Sequence, residues 1–232
     1  KYWKRQAPVL FPIIGSLIDD TYIHKKKKYK LSKHGFLRDR LMDVSYYKKN
    51  KVAYRYHNYK SINPSYPFDC TVDVAYELIN NSVVCTFIIE NESREPLYYS
   101  IGGHPGFNIE EEASVSLIPK DDKVLRYLFE GSLMSGQEDV DKLVIDVQPE
   151  LFVNDALVYR GLESVIVQSG KRKIQVDVSE FLVTGLWTPY NEKDRSIAPF
   201  ICVEPWQGLP DVKGHNQLLK EKQDIQTLEP FT

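Results

Sequence analysis

The sequence predicts an all-β chain, a large antiparallel β-sandwich or barrel, on three observations. Through "FDCTVDVAYELI" (68–79) apolar residues alternate with polar ones at period two, the signature of a strand with one buried face. Gly, Pro and Asn punctuate the chain at short intervals between apolar runs. No segment sustains a 3.6-residue period for three turns. An aromatic content of 12%, with 15 Tyr, favours the same class.

The elements follow in chain order. "KKKK" at 25–28 reads as the solvated tip of a hairpin, in preference to a phosphate-binding patch. A short strand is expected at 51–56. From 68 onward Phe68, Cys70, Val72, Val74, Tyr76 and Leu78 share one face, and Asp69, Thr71, Asp73 and Glu77 the other. Asn80-Asn81 tolerates positive φ and suits a tight turn into the apolar strand "SVVCTFIIE". Further strands are expected at 97–101, 114–118 and 124–129. A second hairpin runs from "ESVIVQS" through Gly170-Lys171 into "KIQVDVS", and another strand covers 182–187. The best helix candidate lies at 216–223. No composition shift or fixed-period repeat divides the chain, so residues 1–232 read as a single domain. The chain begins with Lys1 and stops at "LEPFT", and both ends are expected to be truncated.

Charge and cysteine content exclude several classes. A net charge of −2 and a pI near 6.3 give no reason to expect a nucleic-acid partner. No apolar run reaches the roughly 18 residues of a membrane span, and the sequence shows no signal-peptide pattern. Cys70, Cys85 and Cys202 have no metal-ligand spacing and read as free thiols of a cytoplasmic protein without metal or other cofactor. The chain is expected to be a monomer or homodimer.

Four stretches carry candidate chemistry. In "GGHPGF" (102–107), His104 follows an apparent strand, with glycines that let a ligand approach and Pro105 fixing the exit. That setting suits a general acid, and equally a histidine that only caps a loop. In "ICVEPWQGLPD" (201–211), Glu204 ends a buried strand beside Trp206. Desolvation there would make it a better base, though an ordinary surface ion pair fits the same spacing. Trp206 and Trp187 offer flat faces of the kind that pack on sugar rings. "LSKHGFLRD" (31–39) holds His34 and Arg38 beside a glycine, flanked by Lys33 and Asp39. Asp155 follows Asn154 in a turn-like position, where a simple turn cap is the plainer reading. His24, His57 and His215 lack such settings: His57 reads as structural and His215 as an exposed loop residue.

"APVLFPIIGSL", "HGFLRD", "SIGGHPGF", "NDALVY" and "CVEPWQGLPD" occur in the order found in the aldose 1-epimerase (galactose mutarotase-like) family. The chain resembles most its LacX-type and hexose-6-phosphate epimerase branches. The resemblance covers essentially the whole chain and implies a twisted antiparallel β-supersandwich with a sugar cleft. It places the general acid at His104 and the general base at Glu204. It also implies sugar-binding roles for His34, Arg38 and Asp155, and a basic residue at Arg5 in the phosphate-epimerase branch. The implied reaction interconverts the α and β anomers of an aldohexose. A base takes the O1 proton, an acid protonates the ring oxygen, and the opened chain recloses on the other face. The acid and base are expected on opposite sides of the sugar. A free aldohexose is the first expectation and its phosphate the second. Two competitors remain, a non-catalytic sugar-binding protein on the same sandwich and an accessory domain of a glycosidase or lyase; the presence of both His104 and Glu204 favours the enzyme.

Overall fold

The protein is described from a computed structural model covering residues 2–110 and 112–232; Lys1 and Glu111 lie outside the described residues. Every pairing within its sheets is antiparallel. The largest sheet has the spatial order Val9–Leu10, Ile101–Gly103, Phe200–Gln207, Val183–Trp187, Leu157–Arg160, Leu125–Glu130, Leu133–Asp139, and Gly106–Asn108 also pairs with Phe200–Gln207. A second sheet runs Val144–Asp146, Ser114–Pro119, Leu162–Ser169, Arg172–Asp177. A third runs Asp43–Lys48, Lys51–Asn58, Cys70–Ile79, Ser82–Asn91.

Side-chain alternation explains how these layers meet. On Phe200–Gln207, Ile201 and Val203 share a core with Val115, Leu117, Val165 and Val167 of the second sheet. Trp206 belongs to a different cluster with Leu10, Tyr127 and Val158. The third sheet buries Cys70, Val72 and Val74 with Phe11, Tyr66 and Leu97. One central strand therefore feeds apolar side chains to the core on one face and leaves the other for a cleft.

The expected hairpins are present, each closed by positive φ. Asn80 at φ +55° joins Ile79 to Ser82, Gly170 at φ +55° joins Ser169 to Arg172, and Lys25 and Lys26, at +48° and +63°, join His24 to Lys27. Other expectations need correction. The helix at 216–223 is a single 3₁₀ turn, Leu219–Glu221, because Gln217 sits at φ +64° and the Asn216 side chain takes the Leu218 N–H at 2.9 Å. The strand at 97–101 splits at Ser100, whose N–H donates to the Pro12 carbonyl at 2.7 Å. Leu97–Tyr99 pairs with Gln226–Leu228, while Ile101–Gly103 joins the largest sheet. Cys70–Ile79 is buried on both faces over its first half: Thr71 and Asp73 are inside too, and Asp73 is held by Arg55 at 2.7 and 2.5 Å. Asp43–Lys48, exposed along its whole length, has no apolar face to announce it. Among the described residues no helix is long and apolar enough to cross a membrane.

Away from the sheets, Lys222 is fully buried, its Nζ 3.1 Å from the equally buried Asp211 carboxylate. His215 also faces this carboxylate at 3.6 Å and is 13% exposed, so it is not the exposed loop residue expected. Asp211 in turn accepts from the Ile18 N–H at 3.0 Å, and its own N–H donates to the Ser16 carbonyl at 3.0 Å. The pair thus braces the segment that runs into the cleft at Gly15. Lys222→Met should leave a buried carboxylate without its cation and cost about 3–5 kcal/mol. Adding Asp211→Asn should restore most of that loss, as measured by urea unfolding of both variants.

Candidate functional site

The cleft lies on the free face of the largest sheet and has a volume of about 200 Å³. The structure brings together His34, Arg38, His104, Asp155, Glu204 and Trp206, contributed by four separate stretches of chain. Trp187 also lines it, as do Trp3, Lys33 and Phe129. Arg5 is not part of this wall. Its guanidinium donates to the Asp39 carboxylate at 2.5 Å and to the Arg38 carbonyl at 3.2 Å, beside the cleft.

Register places the central pair. Phe200–Gln207 continues past Glu204, so Glu204 is a mid-strand residue and not the strand end expected. It lies opposite Gly185 on one neighbour, and Trp206 lies opposite Gly102 on the other. Both glycines make room for the Trp206 indole. A β-carbon on Gly102 would sit 2.7 Å from Trp206 Cδ1, and one on Gly185 would sit 2.8 Å from Trp206 Cζ2. Neither Gly102, Gly103 nor Gly106 has positive φ. The reason for Gly102 is therefore space for the indole, not a ligand's approach to His104. His104 itself sits between Ile101–Gly103 and Gly106–Asn108, two strands that pair in succession along one edge of Phe200–Gln207, opposite the edge taken by Val183–Trp187.

His104 Nε2 and Glu204 Oε1 are 3.1 Å apart, with both side chains more than nine-tenths buried. Burial pushes the His104 imidazole well below the ordinary histidine range, and the charges of Lys33 and Arg38 add to the effect. Burial, then the negative charge of Asp155, holds the Glu204 carboxyl well above the usual carboxylate range; Lys33 and the Trp206 indole oppose this. Both groups thus resist charge, and in contact they share one proton. The acid and base candidates stand side by side, not on opposite sides of the cleft.

His34 is fixed more tightly than its sequence setting suggested. A turn closed by the Gly35 N–H on the Ser32 carbonyl, at 2.8 Å, puts His34 at φ +65°, a strained region for a residue with a β-carbon. Its Nδ1 accepts the Gly15 N–H at 3.1 Å, and its own N–H returns to the Gly15 carbonyl at 2.8 Å. An Nδ1 that accepts must be unprotonated, and burial, aided by Lys33 and His104, keeps the ring neutral. The remaining Nε2–H is then a donor only. Asp155 is also left-handed, at φ +75°, and its carboxylate meets Lys33 Nζ at 2.5 Å. Arg38 is mostly buried, and its Nε is 3.9 Å from Asp39, beyond hydrogen-bond reach. The cleft therefore combines a buried proton pair, fixed donors and a charged rim.

His104, Cys202 and Glu204 place possible metal-ligand atoms within 4.8 Å of one another. They fit an ion poorly. Burial holds the Cys202 thiol protonated and pushes the Glu204 carboxyl well above the usual carboxylate range, whereas metal ligands must give up their protons.

Sequence reasoning passed over Trp3, Phe129 and Ser16. Trp3 stands just before "APVLFP", a signal available in principle; nothing local marks Phe129 or Ser16.

Residues 1–226 match the family described as aldose 1-epimerase. The plasmid-borne protein LacX of Lactococcus lactis is 27% identical, over all of this chain and 83% of its own length. A galactose mutarotase-related enzyme from Lactobacillus acidophilus, 28% identical, superimposes with a TM-score of 0.90 over all of this chain and 80% of its own. A galactose mutarotase-like protein from Lactobacillus casei, 26% identical, gives 0.91 over all of this chain and 83% of its own.

Two outcomes follow from the geometry. Gly102→Ala should destabilise by about 1–3 kcal/mol, since the added methyl must displace the indole or the backbone behind it; thermal unfolding measures the loss. Glu204→Gln should do the reverse as pH rises. The raised carboxyl contributes its full stability below its unfolded pKa of about 4.3 and loses it as pH climbs toward the folded value. Glutamine has no such loss, so the melting temperature of the variant should gain on wild type as pH rises above about 4.

Proposed function

Because the chain belongs to the aldose 1-epimerase family, we propose that it is a cofactor-independent epimerase that interconverts the α and β anomers of a free aldohexose. The observation that carries this reading is the buried 3.1 Å contact between His104 Nε2 and Glu204 Oε1 at the floor of a cleft walled by tryptophan. O1 and the ring oxygen of a pyranose are both bonded to C1. An acid and a base standing side by side can therefore address the two oxygens at once.

Glu204, as carboxylate, takes the O1 proton while protonated His104 gives its proton to the ring oxygen. The C1–ring-oxygen bond breaks and C1 becomes an aldehyde. Rotation about C1–C2 turns its other face to the ring hydroxyl. On closure His104 recovers its proton and Glu204 returns one to O1, so the pair ends as it began. Direct contact between the partners lets the single proton move from one to the other, and no proton from solvent is required. The Nε2–H of His34 and the guanidinium of Arg38 would donate to sugar oxygens, and Asp155 would accept from hydroxyls, holding the ring in reactive geometry.

A second substrate, the hexose 6-phosphate, is favoured by the partly unpaired Arg38 beside Lys33. Against it, Lys33 and Arg5 are each engaged by a carboxylate, Asp155 and Asp39, and a phosphate dianion calls for several free donors. Saturation-transfer binding of glucose and glucose 6-phosphate separates the two. A large, salt-sensitive preference for the phosphate would reverse the order.

Anomer-exchange NMR tests the chemistry. Glu204→Gln and His104→Asn should each slow exchange by at least about 10²-fold while weakening sugar binding far less. Their losses should not add, because ring opening needs both transfers. Exchange should hold a plateau across neutral pH, falling in acid when the pair takes a second proton and in alkali when it loses its only one. A wild type that binds sugar without speeding exchange would make this a binding protein.

A further inference from the structure

All three tryptophans of the chain line the one cleft, and they do so in different ways. Trp206 is buried flat against the sheet. Trp187 meets the His104 ring edge-on, at 88° and 5.4 Å between centroids. Trp3 lies along the same imidazole, 4.7 Å away and tilted by 34°, and its ring centroid is also 5.5 Å from Trp187 and 6.1 Å from Phe200. Unlike Trp206, Trp3 is only half-buried.

The segment that carries Trp3 is held from one side. Residues 3–8 form neither helix nor strand, and the chain enters the sheet at Val9, opposite Gly103. Between Trp3 and that entry, Arg5 reaches across to Asp39 and to the carbonyl of Arg38. Those two belong to the turn Leu37–Asp39, which follows His34 and carries Arg38 into the cleft. An arginine that resemblance would give to a phosphate is therefore placed to fasten one edge of the cleft to the segment that supplies its polar donors. The imidazole beneath Trp3 is nine-tenths buried although it borders an open cleft, which requires a cover.

We propose that Trp3 is a further substrate-contacting residue of this site: an aromatic cover, clamped by Arg5 to Asp39, that lies on His104 and presents the part of its indole left exposed in the cleft to the apolar side of the sugar ring. The cover has two consequences. It keeps bulk water from the acid, so that the buried pair retains its single proton. It also supplies a large, rigid apolar surface on which the C–H face of a pyranose can pack, at little cost in side-chain freedom. The second consequence rests on the sugar-epimerase reading, and the first does not.

Two measurements on the full chain separate them. Without sugar, diethyl pyrocarbonate labelling of His104, mapped by peptide mass, should be slow in wild type and in Trp3→Phe. It should be several-fold faster in both Trp3→Ala and Arg5→Ala. Equal labelling in all four proteins overturns the cover and its clamp. With D-galactose and D-glucose as probes, Trp3→Ala should weaken binding by about tenfold, the equivalent of a lost aromatic contact, and Trp3→Phe by much less. Binding by Trp3→Ala as tight as by wild type overturns the sugar platform. Should wild type bind neither sugar, the platform falls together with the epimerase reading, and the labelling alone decides the cover.

Discussion

Strand Phe200–Gln207 must pair in one register only, and the site depends on that constraint. With a side-chain period of two, a slip by one residue would turn Cys202, Glu204 and Trp206 into the core and bring Ile201 and Val203 to the cleft. Two packing demands oppose such a slip. Ile201 and Val203 fill a closed core against the second sheet, where a carboxylate would be buried without a partner. On the other face the Trp206 indole fits only where both neighbouring strands have glycine. Packing energy on both faces thus fixes the position of Glu204, and the contact with His104 follows from it.

Around this frame the polar groups divide into two kinds. At the floor, His104, Glu204 and His34 are kept near neutrality by burial, and their directions are set by single contacts. At the rim, Lys33, Asp155, Arg5 and Asp39 are charged, partly exposed and paired. Exposed pairs of this sort contribute little to stability. Their effect is on field: Lys33 favours the ionised form of Glu204 and Asp155 opposes it, so that rearrangement of one rim pair would tilt the proton balance at the floor.

Much of the molecule was readable from residues alone. Hairpins at Asn80-Asn81 and Gly170-Lys171 were legible because turn chemistry is local, and the strand Cys70–Ile79 because apolar residues fall at every even position from 68 to 78. His34, His104 and Glu204 stood out through their neighbours. What escaped was whatever depends on partners distant in sequence. The purpose of Gly102 is set by a tryptophan 104 positions later, a separation visible only once the strands are paired. Burial of Asp73 and Lys222 is likewise decided by Arg55 and Asp211. Asp43–Lys48 is a strand by pairing alone, since its side chains meet water on both faces. Trp3 escaped as well, because its contact with His104 depends on how the first residues lie across the completed sheet.

The indole that rests on Gly102 and Gly185 also shapes how this protein could change over generations. A floor made from one large side chain and two missing ones is a three-part lock. Trimming Trp206 would open a trough lined by bare backbone, and filling either glycine first would collide with the indole. No single replacement along that route keeps the floor closed, so it forms a valley that small steps do not cross. The rim is coupled only pair by pair, Lys33 with Asp155 and Arg5 with Asp39, and exposed ion pairs of this kind can be exchanged without unseating the sheet. Divergence among proteins of this kind should therefore be read at the rim, where the polar groups facing the cleft can change while the floor beneath them stays the same.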